Sequence, residues 1–289
     1  MIKIKQISKR YQTNNVLDNV SMELDEGLCT ALIGKNGAGK STLIDIIIDH
    51  IKPDKGIIVD PHSIIQPKNL GILFQKTNFP KSVKVKELYS LFKGVYSDGM
   101  SFEQFQNMTR FSDKMMNQYA NDLSGGQKRL LDFILCLIGN PQLLILDEPT
   151  TAMDIETRER FWNIILKLKN EGTTILYTSH YIEEVERMAD KITLLENGVV
   201  KFSGLHNEII HNQNYFIIEF PISSKEQILE LQSKFKVEVN DNTIKLKTNK
   251  VQDVINELLN LKINFNEMII SKQSLLEMMF EQEGGDNDE

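Results

Sequence analysis

The chain reads as an α/β protein: a mainly parallel sheet with helices on both faces, an inserted helical subdomain, and a small α+β domain at the C-terminal end. Three observations predict this. Short apolar strands alternate with amphipathic helices from Met1 to about Gly204, the pattern of parallel strands joined by crossover helices. A glycine-rich stretch, GKNGAGKST at Gly34–Thr42, joins an apolar strand directly to a helix. From about Lys76 to Gln142 the pattern is helical throughout, which places that stretch as an insert in the sheet order.

The elements follow in order. MIKIKQISKRY alternates apolar and polar residues and has no signal-peptide core, so it reads as a strand. CTALIG, from Cys29, is a short apolar strand, and KSTLIDIIIDHI, Lys40–Ile51, is the helix opening inside the glycine loop. Within the insert, KVKELYSLFKGVY and SFEQFQNMTRF are amphipathic helices. Strands return at LLILDEP, TTILYTSH and KITLLENG, separated by the helices IETRERFWNIILKLKN and YIEEVERMAD. Trp162 shares a face with Ile165 and Leu168, which is the spacing of core packing.

Beyond Leu205 the character changes. YFIIEFPI is a strand, SSKEQILELQSK a helix capped by Ser223 or Ser224, and KVEVNDNTIKLKT a hairpin turning at Asn240-Asp241-Asn242. KVQDVINELLNL is a helix and INFNEMIIS, Ile263–Ser271, a strand. The order β-α-β-β-α-β is the split βαβ arrangement. The expected organisation is 1–204 with the helical insert at about 76–142, then 205–282, then an acidic tail at 283–289.

Bulk properties narrow the function. The 289 residues, 41% of them hydrophobic, suffice for a large and a small core. A formal net charge of −7 argues against a protein that coats nucleic acid. The longest apolar candidate, LLDFILCLIG, is about half of a membrane span and carries Asp132. The chain is therefore expected in the cytoplasm, and any membrane role would need another polypeptide. Cys29 and Cys136, without metal-ligand spacing, read as buried free thiols, with a single disulfide as the alternative.

GKNGAGKS fits G-x-x-x-x-G-K-[ST] between a strand and a helix. Backbone N–H groups of such a loop close around phosphate oxygens, and the helix N-terminus adds partial positive charge. Lys40 would reach the β- and γ-phosphates and Ser41 would ligate Mg²⁺. A plain glycine turn would not need Lys and Ser at these offsets. LLILDEP ends in two carboxylates: Asp147 is placed to hold Mg²⁺ through water, and Glu148 to polarise the attacking water as general base. A strand running into an acidic turn is common, so this second motif gains its weight from the first.

A further glycine turn, LSGGQ at Leu123–Gln127, completes a set. GKNGAGKST, LSGGQ and LILDEP, in this order, resemble the nucleotide-binding domain of ATP-binding cassette proteins, over roughly Met1 to Gly204. The resemblance implies ATP and Mg²⁺ as cofactors and an ATP site formed by Gly34, Lys35, Asn36, Gly37, Ala38, Gly39, Lys40, Ser41 and Thr42. Tyr11 matches the aromatic residue stacked on adenine, Gln75 the glutamine that touches Mg²⁺, and His180 the switch histidine at the γ-phosphate. It implies that Leu123, Ser124, Gly125, Gly126 and Gln127 act on the nucleotide of another subunit, in a nucleotide-dependent homodimer or a heterodimer with a related ATPase. Asp154 matches the aspartate crossing that interface. Here the sequence departs from the family's usual Ser-Gly-Leu-Asp: Thr151-Ala152-Met153-Asp154 has lost glycine's backbone freedom at Ala152.

Family membership implies the ATPase subunit of a transporter, peripheral on the inner face of the membrane, with a separate multi-span subunit as partner. The ending SLLEMMFEQ, Ser274–Gln282, and NGVVKFSG, Asn197–Gly204, resemble ATPases of drug, antibiotic and peptide exporters. The overall look of the chain, with its short accessory domain, resembles a peptide exporter of Gram-positive bacteria, such as one for amphipathic toxin peptides of the phenol-soluble modulin kind. Packing alone also explains the apolar spacing of that ending. Two other readings are an amino-acid-type importer with a C-terminal sensor domain and a soluble cassette ATPase in translation or repair. Lys76, Lys81, Lys84, Lys86 and Lys93 follow Gln75, where family members dock the membrane partner; they suit an anionic lipid or acidic partner, or equally a solvated helix face.

Overall fold

A computed structural model of the chain describes residues 1–96, 98–179, 181–206, 208, 215–221, 231–235, 237–240, 243–261 and 263–272. The chain divides into two compact units, Met1–His206 and Asn207–Glu289.

The first unit holds two sheets. β1 (Ile2–Tyr11), β2 (Asn14–Leu24) and β4 (Lys55–Val59) form an antiparallel sheet in the order β2-β1-β4. The larger sheet comprises β3 (Cys29–Ile33), β5 (Leu70–Leu73), β6 (Leu143–Leu146), β7 (Thr174–Ser179), β8 (Lys191–Glu196) and β9 (Val199–Leu205), ordered β5-β6-β7-β3-β8-β9. All its pairings are parallel except β8 with β9. β3, β6 and β7 are buried at every position, which is why they read as unbroken apolar runs rather than alternations.

Helix α1 (Lys40–Ile47) lies between the sheets: Leu43, Ile44, Ile46 and Ile47 share one core with Ile2, Ile4, Ile7 and Val20 from the small sheet and with Ile145, Leu176 and Leu195 from the large one. The helix stops four residues short of the expected end at Ile51, because Asp49 takes a left-handed φ of 63° and Pro53 follows. Between β5 and β6 come α2 (Val85–Lys93), α3 (Phe102–Thr109), α4 (Asp113–Met116) and α5 (Gly125–Cys136). Ser101, Ser112 and Ser124 cap α3, α4 and α5 with their hydroxyls, each taking the N–H three residues on.

α6 (Ile155–Asn170) and α7 (Ile182–Met188) connect the remaining strands. Phe133 of α5, Phe161 and Trp162 of α6 and Tyr177 of β7 form a run of ring contacts at 4.4, 4.9 and 5.7 Å. Trp162 is thus a core residue. Cys29 and Cys136 are free thiols, and burial pushes the Cys29 thiol up to about 12 and the Cys136 thiol also upward.

In the second unit, β10 (Phe216–Pro221), β11 (Val237–Asn240), β12 (Thr243–Thr248) and β13 (Ile269–Lys272) form an antiparallel sheet ordered β11-β12-β10-β13. Its core joins Ile218, Phe220, Ile244 and Leu246 to Val254 and Leu258 of α8 (Val251–Asn260). The last strand is shorter than expected. Asn264 accepts the N–H of Asn266 at 3.0 Å and turns Phe265–Glu267 into a 3₁₀ helix, so pairing begins only at Ile269. Ser223, Ser224, the turn residues Asp241 and Asn242, the segment Ser274–Gln282, the acidic tail and His180 lie outside the described residues.

Candidate functional site

The glycine loop runs from the end of β3 into α1 under tight steric constraint. A Cβ on Gly34 would lie 2.1 Å from the carbonyl oxygen of Leu195, and one on Gly39 would lie 2.7 Å from that of Val16. Gly39 is also the N-cap of α1 with a φ of 103°, a conformation that strains any residue with a side chain. Backbone therefore packs directly on backbone, which leaves Lys35, Asn36 and Gly37 exposed at the rim while Ala38 and Lys40 are buried. The Lys40 ammonium folds back to donate to the carbonyls of Gly34 at 2.7 Å and Lys35 at 3.1 Å. Burial lowers its pKa, opposed by the negative charges of Glu148 and Asp147.

The same carboxylate residue closes the other side. Ser41 Oγ donates to Asp147 Oδ2 at 2.8 Å, and Thr178 Oγ1 donates to Asp147 Oδ1 at 2.7 Å. The Glu148 N–H in turn donates to Thr178 Oγ1 at 2.7 Å. Asp147 is only 7% exposed, so both its oxygens are aimed rather than solvated. A hydroxyl and a carboxylate in direct contact at the mouth of a glycine loop are hard oxygen donors of the kind Mg²⁺ takes alongside phosphate, and the donor set fits that ion. The loop equally fits a triphosphate: its cradle is sterically closed to side chains, and its lysine is held inside it. Thr178 was not legible as a site residue. The signal lies in pairing: Leu146 of β6 stands opposite Tyr177 of β7, which brings the next residue of each strand together.

Gln75 follows β5 and is exposed, and Thr42 and Ser41 sit at the start of α1. Tyr11 ends β1 and is 44% exposed, with the Lys9 ammonium 5.7 Å from its ring centroid. Leu123 is buried, whereas Ser124 and Gly125 are exposed at the N-terminus of α5. Ser124 and Gln127 form a reciprocal cap there, at 3.1 and 3.3 Å. Gly126 packs against Ala152, where a Cβ would lie 3.3 Å from the carbonyl oxygen. Ala152 itself adopts a φ of 66°, so the turn keeps the left-handed conformation that glycine would take freely. Asp154 caps α6, accepting the Thr157 N–H at 2.7 Å, and this bond holds its carboxyl below the usual carboxylate range.

Arg129 also escaped the sequence reading. It is 4% exposed, and its guanidinium donates to the carbonyls of Pro149 (3.0 Å), Asp147 (2.7 Å), Glu148 (3.1 Å) and Phe74, and to Thr77 Oγ1 (3.2 Å). The available sign was an arginine placed directly before the apolar residues Leu130 and Leu131 of α5. Among the lysines after Gln75, Lys93 differs from the rest: its ammonium donates to the Gly99 carbonyl at 2.6 Å. A separate cavity of about 790 Å³, between α3 and α6, contains none of these site residues.

Fold and site together define a phosphate-loop nucleotide hydrolase, and the comparisons with known proteins narrow the class. The family model described as ABC transporter matches residues 17–151. A Nod factor export ATP-binding protein I from Rhizobium etli is 33% identical over 220 residues, 72% of this chain and 69% of that protein. Its counterpart from a Rhizobium species is 30% identical over 253 residues, covering 82% and 83% of the two chains. A dimeric ATP-binding cassette in a post-hydrolysis state, bound to ADP and Pi, superposes with a TM-score of 0.62 at 26% identity, covering 71% of this chain and 98% of that one. The chain belongs to the ATP-binding subunits of ABC transporters. ATP with Mg²⁺ is its cofactor, and ATP hydrolysis its activity. Among the described residues no helix is long and apolar enough to cross a membrane.

Proposed function

We propose that this chain is the ATP-hydrolysing subunit of an exporter, working as a head-to-tail pair on the inner face of the membrane beneath a separate multi-span subunit. The observation that carries the catalytic part is the contact between Ser41, at the start of α1, and Asp147, at the end of β6, with Glu148 next in sequence. Lys40 and the loop amides hold the phosphates, Ser41, Gln75 and Asp147 hold Mg²⁺, and Tyr11 stacks on adenine. Glu148 takes the proton of the attacking water, and His180 orients the γ-phosphate.

Pairing is supported by where the second glycine turn lies. Gly34 and Gly39 pack against Leu195 and Val16, whereas Gly125 and Gly126 pack against Ala152 and Met153. Ser124 and the amides of Gly125 and Gly126, exposed or at the tip of a twelve-residue helix, are donors for a phosphate held by a second copy. Asp154, capping the helix after Ala152, faces the same junction in this reading. The Glu148→Gln variant tests it. Hydrolysis should slow by at least about 10²-fold while ATP binding persists and an ATP-dependent dimer accumulates. Undiminished turnover with no such dimer would refute the assignment.

Export is supported by the relatives, which are named as Nod factor export ATP-binding proteins, and by the ending SLLEMMFEQ. For the cargo we favour an amphipathic peptide. ATPase activity of the chain reconstituted with its membrane partner should then rise with amphipathic helical peptides. A rise with free amino acids alone would favour an importer instead.

A further inference from the structure

We infer that Arg129 is a positioning residue through which the LSGGQ helix sets the catalytic carboxylate of its own chain. This rests on the assignment of Glu148 as general base. Arg129 stands on α5, five residues beyond Ser124, the cap that the dimer reading places against the partner's nucleotide. Its five bonds use all five guanidinium N–H groups, and the acceptors lie on two functional segments. Three consecutive carbonyls, of Asp147, Glu148 and Pro149, belong to the turn after β6. Phe74 and Thr77 flank Gln75 and Lys76 in the segment after β5.

The turn after β6 needs such a hold. Glu148 has a φ of 45°, in the left-handed region that strains a residue with a side chain. It is fixed from two sides: Thr178 accepts its N–H and Arg129 donates to its carbonyl. Removing the guanidinium would release three carbonyls at once and let the peptide planes of Asp147 and Glu148 turn. The carboxylate of Glu148 would then lose its direction while the glycine loop, which Arg129 does not touch, kept its shape. The same bonds give α5 a rigid grip on the catalytic turn and on the Gln75 segment. A displacement of α5 by the partner's nucleotide would therefore be felt at Glu148.

A lysine at 129 keeps the charge but has three donors from one atom, which cannot span both segments. Arg129→Lys should therefore lower kcat at least about tenfold, with KM for ATP within about threefold of wild type and the ATP-dependent dimer retained. If Arg129 acts through Glu148, Arg129→Lys should add nothing to Glu148→Gln: the double variant should be no slower than Glu148→Gln alone. Thr77→Ala removes one acceptor of Arg129 together with the hydroxyl that donates to Asp132; set against Asp132→Asn, which keeps Thr77 and Arg129, it should give the larger fall in kcat at unchanged KM, and this comparison serves if Arg129→Lys folds poorly. Unchanged kcat in Arg129→Lys or Thr77→Ala, or multiplicative losses in the double variant, would overturn the inference. So would a parallel loss of ATP affinity and dimer, which would mark a structural clip. Should Glu148→Gln alone keep full turnover, the underlying assignment fails, not the reach of Arg129.

Discussion

Asp132 shows how closely charge is managed around the catalytic turn. It sits within the apolar run of α5, where burial raises its pKa against the opposing pull of the Thr77 hydroxyl bond, at 2.7 Å, and the Arg129 charge. A carboxyl whose folded pKa is raised stabilises the fold most when protonated, below its unfolded pKa, and that contribution is lost as pH rises through the folded value. Asp132→Asn keeps an acceptor for Thr77 without the charge. Its stability relative to wild type should improve as pH rises from about 4 to about 7, measured by chemical unfolding at each pH. A difference that stays flat, or runs the other way, would mean that Asp132 is better paired than its burial implies. Residues whose place in the candidate site follows from spacing along the chain were legible: Lys40 and Ser41 at fixed offsets in a loop, Asp147 at a strand end. Thr178 and Arg129 were not, because their partners are 31 residues and 18 to 55 residues away in sequence. Only strand register and helix placement bring them together.

At the scale of elements, the buried strands and the long helices were legible because their apolar periodicity coincides with burial. α6 runs from Ile155 to Asn170 as its pattern predicts, since Asp154 caps it and a single face carries Phe161, Trp162 and Ile165 into the core. The misjudged ends have local causes. α1 stops early at a left-handed Asp49, and the last strand starts late because Asn264 captures the chain first. The small antiparallel sheet of β1, β2 and β4 was read only as strand-like runs: β1 and β2 are a hairpin, with Tyr11 opposite Asn14, but β4 joins β1 across a long stretch of sequence, Lys3 standing opposite Val59, and such pairing leaves no local mark. It matters to the site all the same. β2 supplies the carbonyl of Val16 against which Gly39 packs, so the glycine loop is braced by both sheets.

At the scale of the whole molecule, the proposed pair requires its two glycine turns to serve different nucleotides. α1 carries the first turn between the sheets, and α5 carries the second out of the insert, against the chain's own Ala152. The C-terminal unit has the strand order of a split βαβ fold with its own core; we propose it as an accessory domain. The most direct measurement is complementation between two inactive chains. One carries Lys40→Ala, which disables its glycine loop but leaves its LSGGQ turn intact; the other carries Ser124→Arg, which does the reverse. In a shared site, each mixed pair contains one intact combination, so an equal mixture should regain about a quarter of wild-type ATPase activity from random pairing. A mixture that stays as inactive as either chain alone would show that both turns of one polypeptide meet over the same ATP, and would contradict the account.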